Sequence, residues 1–434
     1  MTTASINDKI IFNYFYRQRR KKMINRAHKM DHVHSDIRGP LYVESQKMIK
    51  EGIDVLRLNT GNPATFGFGL PDSIREAMLA GLDNAVAYCD PKGMPEARQA
   101  IYEYHLGKGL VGISPDDIYI GNGVSELVTM ALNVFLNTGD ELLMPAPSYS
   151  LWSNSAYLAG GKPVFYRCDE ENHWYPDLDD LRSKITSRTR GMVIINPNNP
   201  TGAVYPREVL EEMVKIARDN DLVIFSDEIY DRLIMDGIEH ISPASLAPDL
   251  FTVTFNGLSK SHVICGFRCA WMIFSGRKDW AQDYMEGIFQ LAAMRLCSTT
   301  LPQLAIPAAL KDTESTRKMM LPGGRLYEQS AATMRELEKI EGISCVKNNA
   351  AFYVFPKLDI KKFNISSDKK FAFDLLHKKH ILIVPGSGFD WTTPDHFRIV
   401  MLPDAERMAQ AIRDIGDFLK DYRQWENSEF GMLN

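Results

Sequence analysis

Between about residues 115 and 275 short apolar runs alternate with amphipathic stretches, and this alternation restricts the fold more than any other feature. The runs fall at 118–120, 141–144, 164–166, 192–195, 222–225, 251–255 and 270–274. Short runs without polar alternation suit strands buried on both faces. Several are separated by helical patterns, clearest at 206–218, where Val209, Leu210, Met213 and Ala217 share one face. Strands that lie parallel need long crossovers, and helices supply them. The expected fold is therefore α/β: a large domain with a mostly parallel seven-stranded sheet sandwiched by helices.

Outside this region the pattern changes. A helical region is expected over about 280–310, followed by a smaller α+β domain with strands at 344–347, 351–355, 381–384 and 397–401 and helices at 371–379 and 405–422. The chain thus divides into an N-terminal extension (1–30), a segment joining the small domain (31–70), the large domain (71–315) and the small C-terminal domain (316–434). The extension carries the basic cluster Arg17-Gln18-Arg19-Arg20-Lys21-Lys22 after its apolar part, the reverse of a signal peptide. Met23 and Met30 downstream fit an early start codon.

Composition excludes several classes. Hydrophobic residues at 45% and charged residues at 24% are those of a soluble globular chain. A formal net charge of −5 offers no electrostatic case for nucleic acid, and no apolar run is long enough for a membrane span. The six cysteines are scattered through 434 residues, so a reducing cytoplasm is expected. Cys265 and Cys269 have no second pair at zinc spacing, so no metal site is expected.

In an open parallel sheet, ligands collect beyond the carboxyl ends of the strands. Three runs end in polar groups there. The run 192–195 leads into Asn196-Pro197-Asn198-Asn199-Pro200-Thr201-Gly202, the run 222–225 into Ser226-Asp227-Glu228-Ile229-Tyr230, and the run 251–255 into Asn256-Gly257-Leu258-Ser259-Lys260. If these strands are neighbours, Asn199, Asp227, Tyr230 and Lys260 converge on one crevice. A lysine in a confined site can lose its proton near neutral pH and form a Schiff base with an aldehyde. A carboxylate favours a protonated ring nitrogen, while Asn and Tyr can hydrogen-bond a phenolic oxygen. That set suits pyridoxal 5'-phosphate. Taken singly, Asp227 could be a helix cap, Tyr230 a core aromatic and Lys260 a surface lysine.

A phosphate would need a cradle. Gly121-Asn122-Gly123-Val124-Ser125-Glu126 follows a strand and opens a helix, whose free amides favour an anion, and Arg268 can add a charge-assisted bond. Glu126 stands where a dinucleotide fingerprint has its third glycine, which argues against a nicotinamide dehydrogenase. Tyr149 follows the next strand and could stack on a planar ring or fill the core. Arg398 interrupts an apolar run, so it needs an anionic partner: a substrate carboxylate or an internal salt bridge.

With these residues in place, the chain resembles the fold-type-I pyridoxal-phosphate aminotransferases of class I/II from about Asp36 to Tyr422. The likeness is carried by Asp36-Ile37-Arg38-Gly39-Pro40, 118–127, 196–205, 227–231, 255–260 and 322–329. It implies that Lys260 is the covalent anchor and proton carrier, that Asp227 pairs with the ring nitrogen, and that Asn199 and Tyr230 contact the ring oxygen. Val124, Ser125, Ser259 and Arg268 would hold the phosphate, and Tyr149 would stack on the ring. Gly61, Asn199 and Arg398 would receive the substrate α-carboxylate. Tyr88 would reach the neighbouring subunit's phosphate in a homodimer with shared active sites. The segments are most similar to the bacterial alanine-glutamate branch, which implies ping-pong transamination between L-alanine and 2-oxoglutarate with Arg38 on glutamate's distal carboxylate. Another 2-oxo acid specificity, or a lyase on the same fold, would keep the same cofactor residues. Ser315 to Lys318 has the spacing of a Ser/Lys hydrolase but none of its partner motifs.

Overall fold

The computed structural model describes residues 24–424. The basic cluster at 17–22 and most of the expected N-terminal extension lie outside them. A short strand β1 (Leu56–Arg57) precedes the central sheet, which is built from β2 (Ile118–Gly121), β3 (Glu141–Ala146), β4 (Lys162–Asp169), β5 (Tyr175–Pro176), β6 (Thr189–Ile195), β7 (Val223–Asp227), β8 (Thr252–Gly257) and β9 (Ala270–Ser275). Their order is β2-β9-β8-β7-β6-β3-β4-β5. The five strands β8, β7, β6, β3 and β4 are parallel to one another, whereas β9 runs antiparallel to both β2 and β8 and β5 antiparallel to β4.

All seven apolar runs are strands of this sheet. An eighth, β5, is a two-residue edge strand pairing Cys168 with Pro176 and Asp169 with Tyr175. Proline is tolerated there because an edge position leaves its missing N–H unneeded. Alternate residues of each strand enter opposite cores, as the unbroken apolar runs require. Val193 and Phe225 pack with Val128, Leu132 and Trp152 on one face, while Met192 and Ile224 pack with Leu210, Met213 and Ala217 on the other.

The helical region at 280–310 is broken. A helix spans Gln282–Met294, and the next, Ala305–Lys311, begins after an irregular segment. Leu296 adopts a left-handed φ of 68°, ending the first helix, and Pro302 lies in the turn that follows. The break carries contacts to the turn after β2: Arg295 pairs with Glu126, and the Thr299 amide donates to Asn122 Oδ1 at 3.0 Å.

In the small domain, β10 (Ile343–Ser344) pairs with β12 (Lys357–Leu358), and β11 (Tyr353–Val354), β15 (Phe397–Val400) and β14 (Val384–Pro385) form a three-stranded sheet in that order. These strands are shorter than the apolar runs that predict them. β13 (Ile381–Leu382) lies parallel to β1, tying the N-terminal segment to this domain. Leu41, Met48 and Leu58 share its core with Phe371, Leu375, Phe397, Ile399 and Ile412. Among the described residues no helix is long and apolar enough to cross a membrane.

Candidate active site

A cleft of about 720 Å³ opens beyond the carboxyl ends of the parallel strands. Because β6, β7 and β8 are neighbours in register, the polar groups that follow them face one space. Its walls include Arg38, Gly61, Val124, Ser125, Tyr149, Asn199, Asp227, Tyr230, Ser259, Lys260, Arg268 and Arg398. Tyr88 stands apart. It is 79% exposed and does not line this chain's cleft.

Lys260 sits on the short helix Leu258–Ser261 that begins where β8 ends. It is half-buried, and its Nζ donates to the Gly61 carbonyl at 3.1 Å. A Cβ at Gly61 would lie 2.5 Å from the Tyr353 hydroxyl and 3.3 Å from Lys260 Nζ, so only glycine lets this backbone approach so closely. Gly257 is equally constrained: a Cβ there would meet Cys269 O at 2.7 Å and Ala270 Cβ at 2.8 Å.

Asp227 ends β7 and is 3% exposed. Its carboxylate accepts from Trp152 Nε1 at 3.0 Å and from the Ile229 amide at 3.3 Å. Burial raises its pKa from 3.8 to about 6, against the lowering effect of these two donors. A buried carboxylate with only two neutral donors is suited to a cationic partner. The Tyr230 hydroxyl donates to the Tyr353 hydroxyl at 3.1 Å, and burial pushes its pKa well above the ordinary tyrosine value.

Arg398, on β15, is 1% exposed and forms no salt bridge among the described residues. Its Nη1 donates to Asn199 Oδ1 at 3.1 Å and its Nη2 to the Asn59 carbonyl, while Nε is buried without a partner. Its guanidinium lies over the Tyr353 ring at 4.5 Å and the Phe389 ring at 4.7 Å. Burial lowers its pKa, although the group stays charged. A buried guanidinium without a carboxylate partner among the described residues leaves an anion site open to the cleft. With the Asn199 carbonyl held by Arg398, the amide nitrogen of Asn199 is left to donate.

The phosphate-cradle residues also come together. The helix Val124–Phe135 starts in the cleft, where the Val124 and Ser125 amides can serve an anion, while the Glu126 amide donates to the Gly123 carbonyl at 3.2 Å. Gly123 has a φ of +92°, and a Cβ on it would lie 2.0 Å from Arg268 Nη2, so the arginine packs directly on the turn. Arg268 is exposed, donates to Cys265 O at 2.9 Å and has no carboxylate partner among the described residues. Glu126 has a structural role here: it accepts from the Asn122 amide at 2.6 Å and pairs with Arg295.

Arg38 is exposed on the N-terminal segment, at the cleft and free of ion pairs among the described residues. That segment is fastened to the large domain by reciprocal bonds between His34 and Asn154, at 3.1 and 2.6 Å. Ser315 lies in the first turn of the helix Glu314–Met320, where its amide and hydroxyl donate to the Asp312 carboxylate, and it does not line the cleft.

Two contacts are not apparent from sequence reasoning. Trp152 lies three residues beyond Tyr149, a spacing that could have suggested a shared face. Tyr353 belongs to a two-residue strand of the other domain, and no local pattern links it to Tyr230.

The sequence matches the family model of aminotransferase class I and II over residues 53–415. It is 50% identical over 403 residues to a glutamate-pyruvate aminotransferase of Haemophilus influenzae, covering 93% of this chain and 100% of that one. An alanine aminotransferase of Mycobacterium tuberculosis is 46% identical over 406 residues, covering 93% of this chain and 95% of its own length. Among solved structures, an aminotransferase from Escherichia coli superposes with a TM-score of 0.92 at 49% identity, over 93% of this chain and 100% of that one. An alanine aminotransferase from Pyrococcus furiosus gives 0.87 at 38%, over 91% of this chain and all of its own. With a family model that spans most of the chain and a site of matching chemistry, this chain belongs to the class I and II aminotransferases.

Proposed function

We propose that the cleft holds pyridoxal 5'-phosphate and transfers the amino group between L-alanine and 2-oxoglutarate, giving pyruvate and L-glutamate. The observation that carries this reading is a buried Arg398 without a carboxylate partner among the described residues, lining the same cleft as Lys260 and Asp227. The residues fit the cofactor at each end. Asp227 offers a buried carboxylate to a ring nitrogen, and the Val124 helix start with Arg268 offers an unpaired anion cradle. When bound, the cofactor supplies an aldehyde that takes up the amino group and a ring that accepts electron density.

The chain's own residues do the rest. Arg398 and the Asn199 amide bind the substrate α-carboxylate, which fixes the Cα–H bond relative to Lys260. Lys260 Nζ removes the Cα proton, its stem held by the short helix after β8 and its head beside the Gly61 carbonyl. Asp227 keeps the ring nitrogen protonated, and Tyr149 covers the ring. Arg38, at the cleft wall without an ion-pair partner among the described residues, binds the distal carboxylate of glutamate and 2-oxoglutarate. The alanine–glutamate pair rests on the relatives, two of which carry those substrates in their names.

The working enzyme is a homodimer in which Tyr88 reaches the neighbouring subunit's phosphate. Its support is the exposure of Tyr88 itself, 79%, and of Val86 two residues before it, 85%. Such a surface suits burial against a second copy. Visible absorbance tests the reading: the purified protein should carry a pyridoxal phosphate band that changes on adding L-alanine and returns on adding 2-oxoglutarate. A colourless protein that takes up no cofactor overturns it, and release of ammonia without need of an acceptor would make it a lyase.

A further inference from the structure

We propose that Tyr353 is a positioning residue whose hydroxyl proton goes to Tyr230, releasing the Tyr230 hydroxyl to face the cofactor ring oxygen. The inference deepens the pyridoxal phosphate reading above and rests on it. A tyrosine hydroxyl has one proton to give and two lone pairs to receive. In the orientation in which Tyr230 donates to Tyr353, across 3.1 Å, its one proton is taken up. In that orientation Tyr230 has nothing left to donate to a negatively charged ring oxygen. Reversing the bond, so that Tyr353 donates and Tyr230 accepts, restores the donor and strengthens it, because a hydroxyl that accepts a bond donates a better one.

The surroundings make Tyr353 specific for this task. It is 2% exposed, and its ring is clamped between the Arg398 guanidinium at 4.5 Å and the Tyr230 ring at 5.6 Å in an edge-on arrangement. The absence of a side chain at Gly61 makes room for its hydroxyl, since a Cβ there would lie 2.5 Å from that oxygen. Tyr230 comes from the segment after β7, whereas Tyr353 comes from β11, paired with β15 through Tyr353 opposite Val400. The two hydroxyls therefore join the domain that holds the cofactor to the strand layer that carries Arg398, and binding of the α-carboxylate at Arg398 is sensed one contact away from the ring oxygen. The charged groups facing the pair include Arg398 and Asp227, and Lys260, whose Nζ lies 3.3 Å from where a Gly61 Cβ would sit beside the Tyr353 hydroxyl.

The test uses the cofactor-loaded enzyme and the variants Tyr353→Phe, Tyr230→Phe and the double variant. Phenylalanine keeps the ring on Arg398 and removes only the hydroxyl. The readout is the pH midpoint of the visible absorbance of bound pyridoxal phosphate, which follows how tightly the ring oxygen and lysine nitrogen hold their shared proton. Tyr353→Phe should raise that midpoint by roughly half to one pH unit, with KM for L-alanine changed less than about twofold and kcat reduced roughly three- to tenfold. In the Tyr230→Phe background the same change should leave the midpoint where Tyr230→Phe alone puts it. An unchanged midpoint in Tyr353→Phe, or an equal shift in both backgrounds, overturns the inference. A wild-type protein without a pyridoxal phosphate band overturns the cofactor reading, and this inference with it.

Discussion

Trp152→Phe isolates the hydrogen bond that holds the Asp227 carboxylate. Phenylalanine preserves the aromatic packing on Phe255 and Phe225, whose rings lie 5.4 and 6.3 Å from the indole, and deletes the N–H that reaches Asp227 Oδ2 at 3.0 Å. A hydrogen bond to a charged group contributes roughly 1.5 to 3 kcal/mol. At 1.36 kcal/mol per pKa unit this raises the Asp227 pKa by roughly one to two units. In the wild-type apoenzyme burial already holds it at about 6. At pH 7 the ionised fraction should therefore fall from roughly nine-tenths to half or less. Since the ring nitrogen needs a carboxylate, the acid limb of pyridoxal phosphate affinity should move upward by the same one to two units. The assay is the dissociation constant for cofactor measured from pH 5.5 to 9 on both apoproteins; the cofactor's own titrations cancel in the comparison. Superimposable profiles would refute the assignment of Trp152 as the group that keeps Asp227 ionised, as would an equal shift in an Asp227→Asn background.

The remaining predictions concern stability, the cradle and specificity. Asp227 has a folded pKa above its ordinary 3.8, so the native apoenzyme binds that proton more tightly than the unfolded chain, and the stability this gives is lost as pH rises through about 6. Asp227→Asn removes the loss: apoenzyme unfolding in urea should show a gain over wild type that grows by about 1 to 2 kcal/mol between pH 5 and pH 7.5, and a gain independent of pH would contradict it. Gly123→Ala places a Cβ 2.0 Å from Arg268 Nη2 on a residue with φ +92°, so cofactor affinity by fluorescence titration should fall at least about tenfold; unchanged affinity would remove Arg268 from the phosphate site. Arg38→Ala should raise KM for L-glutamate and 2-oxoglutarate by roughly tenfold or more and spare L-alanine and pyruvate in steady-state assays. Equal losses for both pairs would assign Arg38 to the fold.

The sequence made the sheet readable because strands such as β6 and β8, buried on both faces, leave continuous apolar runs ending in polar groups. Their adjacency follows from parallel topology, and it brings Asn199, Asp227, Tyr230 and Lys260 to one cleft. The two-residue strand β5 has too little length for a pattern, and the break at Leu296 depends on a left-handed residue that is not glycine. Trp152 and Tyr353 were invisible for a different reason. A tryptophan and a tyrosine in apolar surroundings read as core, and only the tertiary fold shows that each spends its polar atom on a site residue, Tyr353 from 123 positions away. The partner of Arg398 was likewise undecided between an internal carboxylate and a substrate; the fold surrounds it with Asn199, Asn59 and two aromatic rings.

The role of Lys260 as covalent anchor of the cofactor is tested most directly by borohydride reduction of the pyridoxal phosphate-loaded protein, followed by proteolysis and mass spectrometry. A reduced pyridoxyl-phosphate group is expected on the peptide containing Lys260, and none on that peptide in Lys260→Ala. The group fixed at another lysine, or no covalent attachment in wild type, would contradict it.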